Sequence, residues 1–185
     1  MIRYRNATIN YVFGVVKEPL TGETICSWMT GSQGTAVILD QEKVTAFVAG
    51  LAGKYDTAGT ARTFHTAGGR DVEITGPYGW KLDVAGEVAA LTQLIQAGLG
   101  EGEQDREPVY AATAASRSLP DWGNTYVEID LTGQHVYMFQ EGNLVWEAPC
   151  VTGNIAKNYN TPAGIYSLTY KEMDRILRGA KKADG

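Results

Sequence analysis

The sequence predicts an α+β fold: an N-terminal unit that mixes helices with strands, followed by a segment built from strands. Three observations lead there. Two stretches carry apolar residues at helical spacing behind an Asp, several β-branched and aromatic runs are punctuated by Gly, and the composition changes after Gly98. At 185 residues, 44% hydrophobic and 20% charged, the chain holds enough apolar material for a packed core.

Taken in order, the run "TINYVFGVV" from Thr8 to Val16 reads as a strand, Pro19 to Gly22 as a turn, and "GETICSWM" as a short helix. "TAVILD" supplies a second strand. Asp40 then stands as an N-cap, because Val44, Phe47, Val48, Leu51 and Tyr55 share one helical face, which predicts a helix from Gln41 to Tyr55. "RTFHTAGGRDVEI" has two alternating segments around Gly68-Gly69, which tolerate the positive φ of a hairpin turn. Asp83 caps a further helix in which Val84, Val88, Leu91, Leu94 and Ile95 fall together and Gly98 is the stop.

From Gly98 to Asn124 the chain is rich in Gly, Glu, Ala and Ser and shows no sustained period, so a domain boundary is expected near residue 115, dividing units 1–115 and 116–185. Beyond it "TYVEIDLTGQHVYMFQEGNLVWEAPCVTG" gives three strand-like runs separated at Thr132-Gly133 and Glu141-Gly142. An antiparallel meander is the expected arrangement.

Charge and residue spacing exclude several functions. The net charge is −5, and Lys and Arg are scattered apart from Lys181 and Lys182, so no basic stripe faces a phosphate backbone and nucleic acid is not an expected partner. Two His and two Cys, spread across both units, offer no metal-ligand spacing, and no phosphate-cradling Gly-rich motif occurs. Neither a metal nor a cofactor is expected. No run of about 18 apolar residues is present, and the N-terminus lacks the apolar core of a signal peptide.

The segment "TYVEIDLTGQHVYMFQEGNLVWEAPCVTGN", followed by "TPAGIYSL", resembles the opening half of an L,D-transpeptidase catalytic domain of the YkuD family. There a strand ending in Asp leads to a Gln-His-hydrophobic strand, a Gly turn, a V-T-G and a T-P-x-G. Upstream, "DQEKVTAFVAGLAGKYDT", "FHTAGGR" and "YGWKLD" resemble the peptidoglycan-binding domain that precedes this catalytic domain in several Gram-positive enzymes. The resemblance implies a mostly-β catalytic unit in residues 116–185 and a wall enzyme that cross-links stem peptides through a Cys thioester, with peptidoglycan glycan and stem peptides as partners. It also implies an extracellular location on the cell-wall side of the membrane, with anchoring by an N-terminal segment absent here. The family's Ser-x-Gly-Cys motif is not matched, so the catalytic residues are expected downstream of Gly185 and the chain itself is expected to be inactive. A non-catalytic glycan-binding module is the alternative.

If Glu141-Gly142 is a two-residue turn, His135 faces Ala148 and Cys150 lies diagonal to His135 on the same sheet face, whereas a three-residue turn puts them on opposite faces. A packed, structural Cys150 is the expectation; Cys26 and His65 read as ordinary structural residues. Tyr78 and Trp80 in "GPYGWKLD" are the candidate substrate-binding pair, since an aromatic ring stacks on the apolar face of a sugar. Asp121, Glu128, Asp130 and Glu147 show no reason to converge as paired catalytic carboxylates. A meander without its later strands exposes an edge and an apolar face, which predicts self-association or a poorly ordered C-terminus.

Overall fold

The computed structural model describes residues 2–34, 36–174 and 176. Lys181, Lys182 and the end of the chain at Gly185 lie outside the described residues, as does most of the segment for which C-terminal disorder is expected.

After a one-turn helix α1 (Ile2–Arg5), strand β1 (Ala7–Phe13) turns back into β2 (Val16–Thr21). The single strand expected over Thr8–Val16 is therefore two. Gly14, at φ 66°, makes the reversal that no β-branched residue accepts without strain. Pro19 sits inside β2 rather than in a turn. It is tolerated because β2 is an edge strand, with β1 pairing on its other side to β8 (Gly102–Arg106) in the order β2-β1-β8. The β1–β8 pairing is parallel, and β8 lies in the stretch that showed no period. Its sequence GEQDR carries no apolar alternation because the strand is held by backbone pairing along β1 and buries little side-chain surface.

Thr21 caps helix α2 (Gly22–Ser27), followed by β3 (Met29–Gln33) paired to β4 (Ala36–Leu39). Helix α3 (Gln41–Tyr55) starts where expected, with Asp40 accepting from the Glu42 and Lys43 amides at 3.1 and 3.3 Å. The hairpin β5 (Arg62–His65) and β6 (Asp71–Ile74) closes through a loop from Thr66 to Arg70, wider than the two-residue turn at Gly68-Gly69. Strand β7 (Lys81–Leu82) leads through Asp83 into helix α4 (Val84–Ala97), ended at Gly98 with φ 101°. Strand β9 (Tyr110–Ala112) pairs back to β7.

Among the described residues, the buried apolar core lies between Tyr4 and Leu99, with Ile9, Tyr11, Leu20, Ile25, Val44 and Val48 at its centre and Leu91 and Ile95 from α4 closing it. Glu87 falls on the buried face of α4 and is fully enclosed. Its carboxylate accepts from Tyr11 Oη at 2.6 Å, from Arg106 Nε and Nη2 at 2.8 and 3.0 Å and from the Val109 amide at 2.8 Å. Every lone pair is engaged, so the burial of this charge is compensated, and α4 is tied to β1 and β8 at one point.

Strands β10 (Tyr126–Asp130), β11 (His135–Gln140) and β12 (Asn143–Pro149) form the expected antiparallel meander in sequence order. Its two faces differ. Tyr126, Glu128 and Asp130 alternate toward the β5–β6 hairpin. Val127, Ile129, Met138 and Trp146 point to the other face and are 40–56% exposed. The meander thus leaves this apolar face about half open to solvent among the described residues.

Candidate functional site

The chemistry-bearing side chains gather at the junction between the N-terminal unit and the meander. Three acidic residues make that junction. Asp121 is 1% exposed and receives Arg62 Nη1 on both oxygens at 2.8 and 2.7 Å, with Thr57 Oγ1 as a further donor. Arg62 also donates Nη2 to the Tyr78 carbonyl at 2.8 Å. Glu128 accepts the Ala67 amide at 2.9 Å, and Asp130 accepts Arg70 Nη2 at 2.8 Å while its other oxygen caps the Thr132 and Gly133 amides. These carboxylates hold one unit on the other and do not converge as a catalytic pair.

Their titration follows from those surroundings. Burial pushes the Glu128 carboxyl above its ordinary value, opposed by the Ala67 amide. The Gly133 amide, joined by Thr132 and Arg70, holds Asp130 below its ordinary value. Burial raises the Tyr126 phenol, and neighbouring Glu128 adds to the effect.

A second contact comes from "TPAGIY". Ile165 donates its amide to the Thr75 carbonyl at 3.0 Å, so the chain after Pro162 lies against residues 75–78. Only Gly fits at position 76. A Cβ there would lie 2.7 Å from the Ile165 nitrogen and would collide with its carbonyl oxygen.

Above these anchors runs a trough with two connected depressions that share His65 and Tyr126. One, of about 500 Å³, lies between the hairpin loop at Thr66 and Ala67 and the meander at Tyr137, Phe139 and Glu147. The other, of about 730 Å³, lies between β5 and the connector at Leu119, Trp122 and Asn124. Half-buried rings line it as a ladder: Trp122 to Phe64 at 5.7 Å, Phe64 to Tyr126 at 5.8 Å, and Tyr126 stacked on Phe139 at 4.9 Å.

Cys150 and His135 do not share a face. Gln140 pairs with Asn143 as a two-residue turn requires, but a bulge between Met138 and Phe139 shifts the register, so His135 pairs with Pro149 instead of Ala148. The shift moves Cys150 to the opposite side, where its amide donates to the Gln134 carbonyl at 2.8 Å. His135 lies instead beside Glu147, with Nε2 3.2 Å from the carboxylate. His65 pairs with Asp71 at 2.8 Å on the exposed hairpin, and Cys26 lies partly buried against the core. Among the described residues no group of three His, Cys, Asp or Glu side chains converges as metal donors.

Tyr78 and Trp80 sit at the same junction, half-buried. Trp80 Nε1 donates to the Ser116 carbonyl at 2.6 Å, and the Arg117 guanidinium lies 3.9 Å from the ring centroid. Tyr78 Oη accepts the Ala115 amide at 2.9 Å. Both polar handles are thus committed to residues 115–117, and it is the ring ladder of Phe64, Trp122, Tyr126 and Phe139 that lines the trough. Sequence reasoning missed that ladder. Its members come from β5, the connector, β10 and β11, so no spacing along the chain unites them. The alternation that places Tyr126 and Glu128 on one face of β10 was the available signal.

Comparison with known proteins gives two family matches. Residues 124–182 match the L,D-transpeptidase catalytic domain (YkuD), and residues 21–103 match the family described as "Putative peptidoglycan binding domain". Among solved structures, the Ldtfm-avibactam carbamoyl enzyme superposes with a TM-score of 0.71 at 28% sequence identity, over 96% of this chain and 68% of that one. A cysteine-to-serine mutant of Enterococcus faecium L,D-transpeptidase superposes with a TM-score of 0.64 at 27% identity, over 88% of this chain and 63% of that one. Among curated proteins no match was found.

Proposed function

The chain joins a peptidoglycan-binding domain to an L,D-transpeptidase catalytic-domain segment, and from that premise we propose that it serves a wall enzyme cross-linking peptidoglycan stem peptides. In this reading a Cys thiolate attacks the carbonyl of an L-residue in a donor stem. The following D-residue leaves with a proton, and a thioester forms. The amine of a neighbouring stem then attacks the thioester, loses its proton and regenerates the thiolate. Peptidoglycan is the partner, and the location is the cell-wall side of the membrane.

The observation that carries the proposal is the structural likeness over 96% of the chain, which brings both family segments together in one arrangement. The reading divides the chain near residue 115, where Trp80 and Tyr78 grip the connector, and assigns those two residues to the joint, with their remaining ring surface as a secondary glycan contact. It places the nucleophile outside residues 1–185. Support for that placement is that His135 pairs with Pro149, which leaves Cys150 on the other side of the chain with no histidine beside it among the described residues. The exposed Val127, Ile129, Met138 and Trp146 surface supports self-association of the 185-residue chain.

Incubation with a carbapenem, followed by intact mass measurement, tests the assignment. No adduct is expected, and stoichiometric acylation of Cys150 overturns it. Extension of the coding sequence through a Ser-x-Gly-Cys motif should restore acylation and cross-linking. A non-catalytic binding module is the second reading. The commitment of Asp121, Glu128 and Asp130 to docking favours it, and cross-linking by the extended protein would exclude it.

A further inference from the structure

We propose that the trough at the junction is a saccharide site, taking a short, neutral stretch of N-acetylated glycan rather than a stem peptide; this rests on the peptidoglycan reading above. Three features argue for it. The first is shape: the two depressions, at about 500 and 730 Å³, are open to solvent along their length, which suits an extended chain lying on the surface rather than an enclosed small molecule. The second is the ring ladder Trp122, Phe64, Tyr126 and Phe139, continued by Tyr137. These half-buried rings pack on one another, Tyr126 face to face with Phe139 and Phe64 at a steep angle to Trp122 and Tyr126, and together they line both depressions. Apolar sugar faces stack on such rings while hydroxyl and acetamido groups reach a polar rim.

The third feature is charge. Arg62, the one arginine among the described residues lining the trough, is buried; its Nη1 and Nη2 are taken by Asp121 and the Tyr78 carbonyl, and only its enclosed Nε is without a partner. His65 faces Asp71, and His135 faces Glu147. Each cationic or imidazole group at the trough thus already faces a carboxylate, so a ligand carboxylate finds no exposed counter-charge of its own among the described residues and would sit close to the Glu147 carboxylate. A neutral ligand with both donors and acceptors suits the rim, where the exposed Asn124 and Glu147 present an amide and a carboxylate. Because the rings come from both units, the site exists only when the units are docked.

The test is a titration of the 185-residue chain with tetra-N-acetylchitotetraose, followed by amide chemical shifts. Shifts are expected to cluster at residues 61–67, 122–126 and 137–147. Tyr137→Leu, which keeps apolar bulk but removes the ring, should weaken binding by about fivefold. Ile129→Thr, on the opposite face of the meander, should not change it. Absence of shifts at millimolar saccharide, shifts confined to Tyr78 and Trp80, or occupation of the trough by a stem tetrapeptide instead would each overturn the proposal. Should Tyr137→Leu not fold, the shift map of the unaltered chain decides alone. Co-sedimentation with purified sacculi separates the two levels: retention on sacculi without saccharide binding removes the glycan site and leaves the wall assignment standing, whereas loss of both removes both.

Discussion

Replacing Asp121 by Ala probes the joint between the two units. The substitution deletes both hydrogen bonds from Arg62 Nη1 and the one from Thr57 Oγ1, and it strands a guanidinium whose side chain is 7% exposed. Removing one partner of a buried ion pair typically costs about 3–5 kcal/mol, because the remaining charge is left desolvated without compensation. For a chain of this size each kcal/mol lowers Tm by roughly 2–4 °C, so the melting temperature should fall by about 6 to 20 °C. Calorimetry of the wild type, Asp121→Ala, Arg62→Met and the double variant completes a cycle. The double variant should be less destabilised than the sum of the single ones, since neither charge is then left alone. The surface pair Lys17–Asp105, with both side chains more than half exposed and screened by solvent, serves as the control, and its removal should leave the melting temperature almost unchanged. A loss at Asp121→Ala no larger than that of the control would refute the view that this pair clamps the connector.

Other consequences follow from the same contacts. Because burial raises the Glu128 carboxyl in the folded chain, its contribution to stability is complete below the usual value of 4.5 and is lost as pH rises through the raised value. Asp130 works in the opposite direction, stabilising above 3.8 and failing as pH falls through its lowered value. The Tm of the wild type should therefore drop relative to Glu128→Gln as pH is raised from about 4 to 8; parallel curves would contradict the burial argument. Gly76→Ala should force the Ile165 backbone away and cost about 1–3 kcal/mol, read as faster amide exchange at Ile165; unchanged exchange there would show that the close approach is not required. Leu91→Ala, at a fully buried site, should cost about 2–5 kcal/mol by urea denaturation, and Val127→Ala on the open face of the meander under about 1 kcal/mol. Equal losses would mean that the meander face is covered in solution.

Local chemistry made much of this chain legible from its residues. Asp40 and Asp83 announce α3 and α4 because a short carboxylate before an apolar stripe satisfies otherwise orphaned helix amides, and both caps form as expected. The meander was readable because Gly-containing turns separate runs of strand-forming residues. The order of motifs likewise identified the two families, which the comparisons match at residues 21–103 and 124–182.

What tertiary structure decided concerns pairing between distant segments. Strand β8 is a strand only because β1 lies beside it, and GEQDR carries no pattern of its own. The bulge at Met138 moved Cys150 away from His135, and a one-residue slip of that kind inverts a face without altering the hydrophobic pattern. Asp121, Glu128 and Asp130 look like scattered surface acids until the hairpin brings Arg62, Ala67 and Arg70 against them. The aromatic trough has the same origin. A sequence states which residues prefer a strand or a cap, but the partner that desolvates a carboxylate or completes a row of rings comes from dozens of residues away and is chosen when the two units pack.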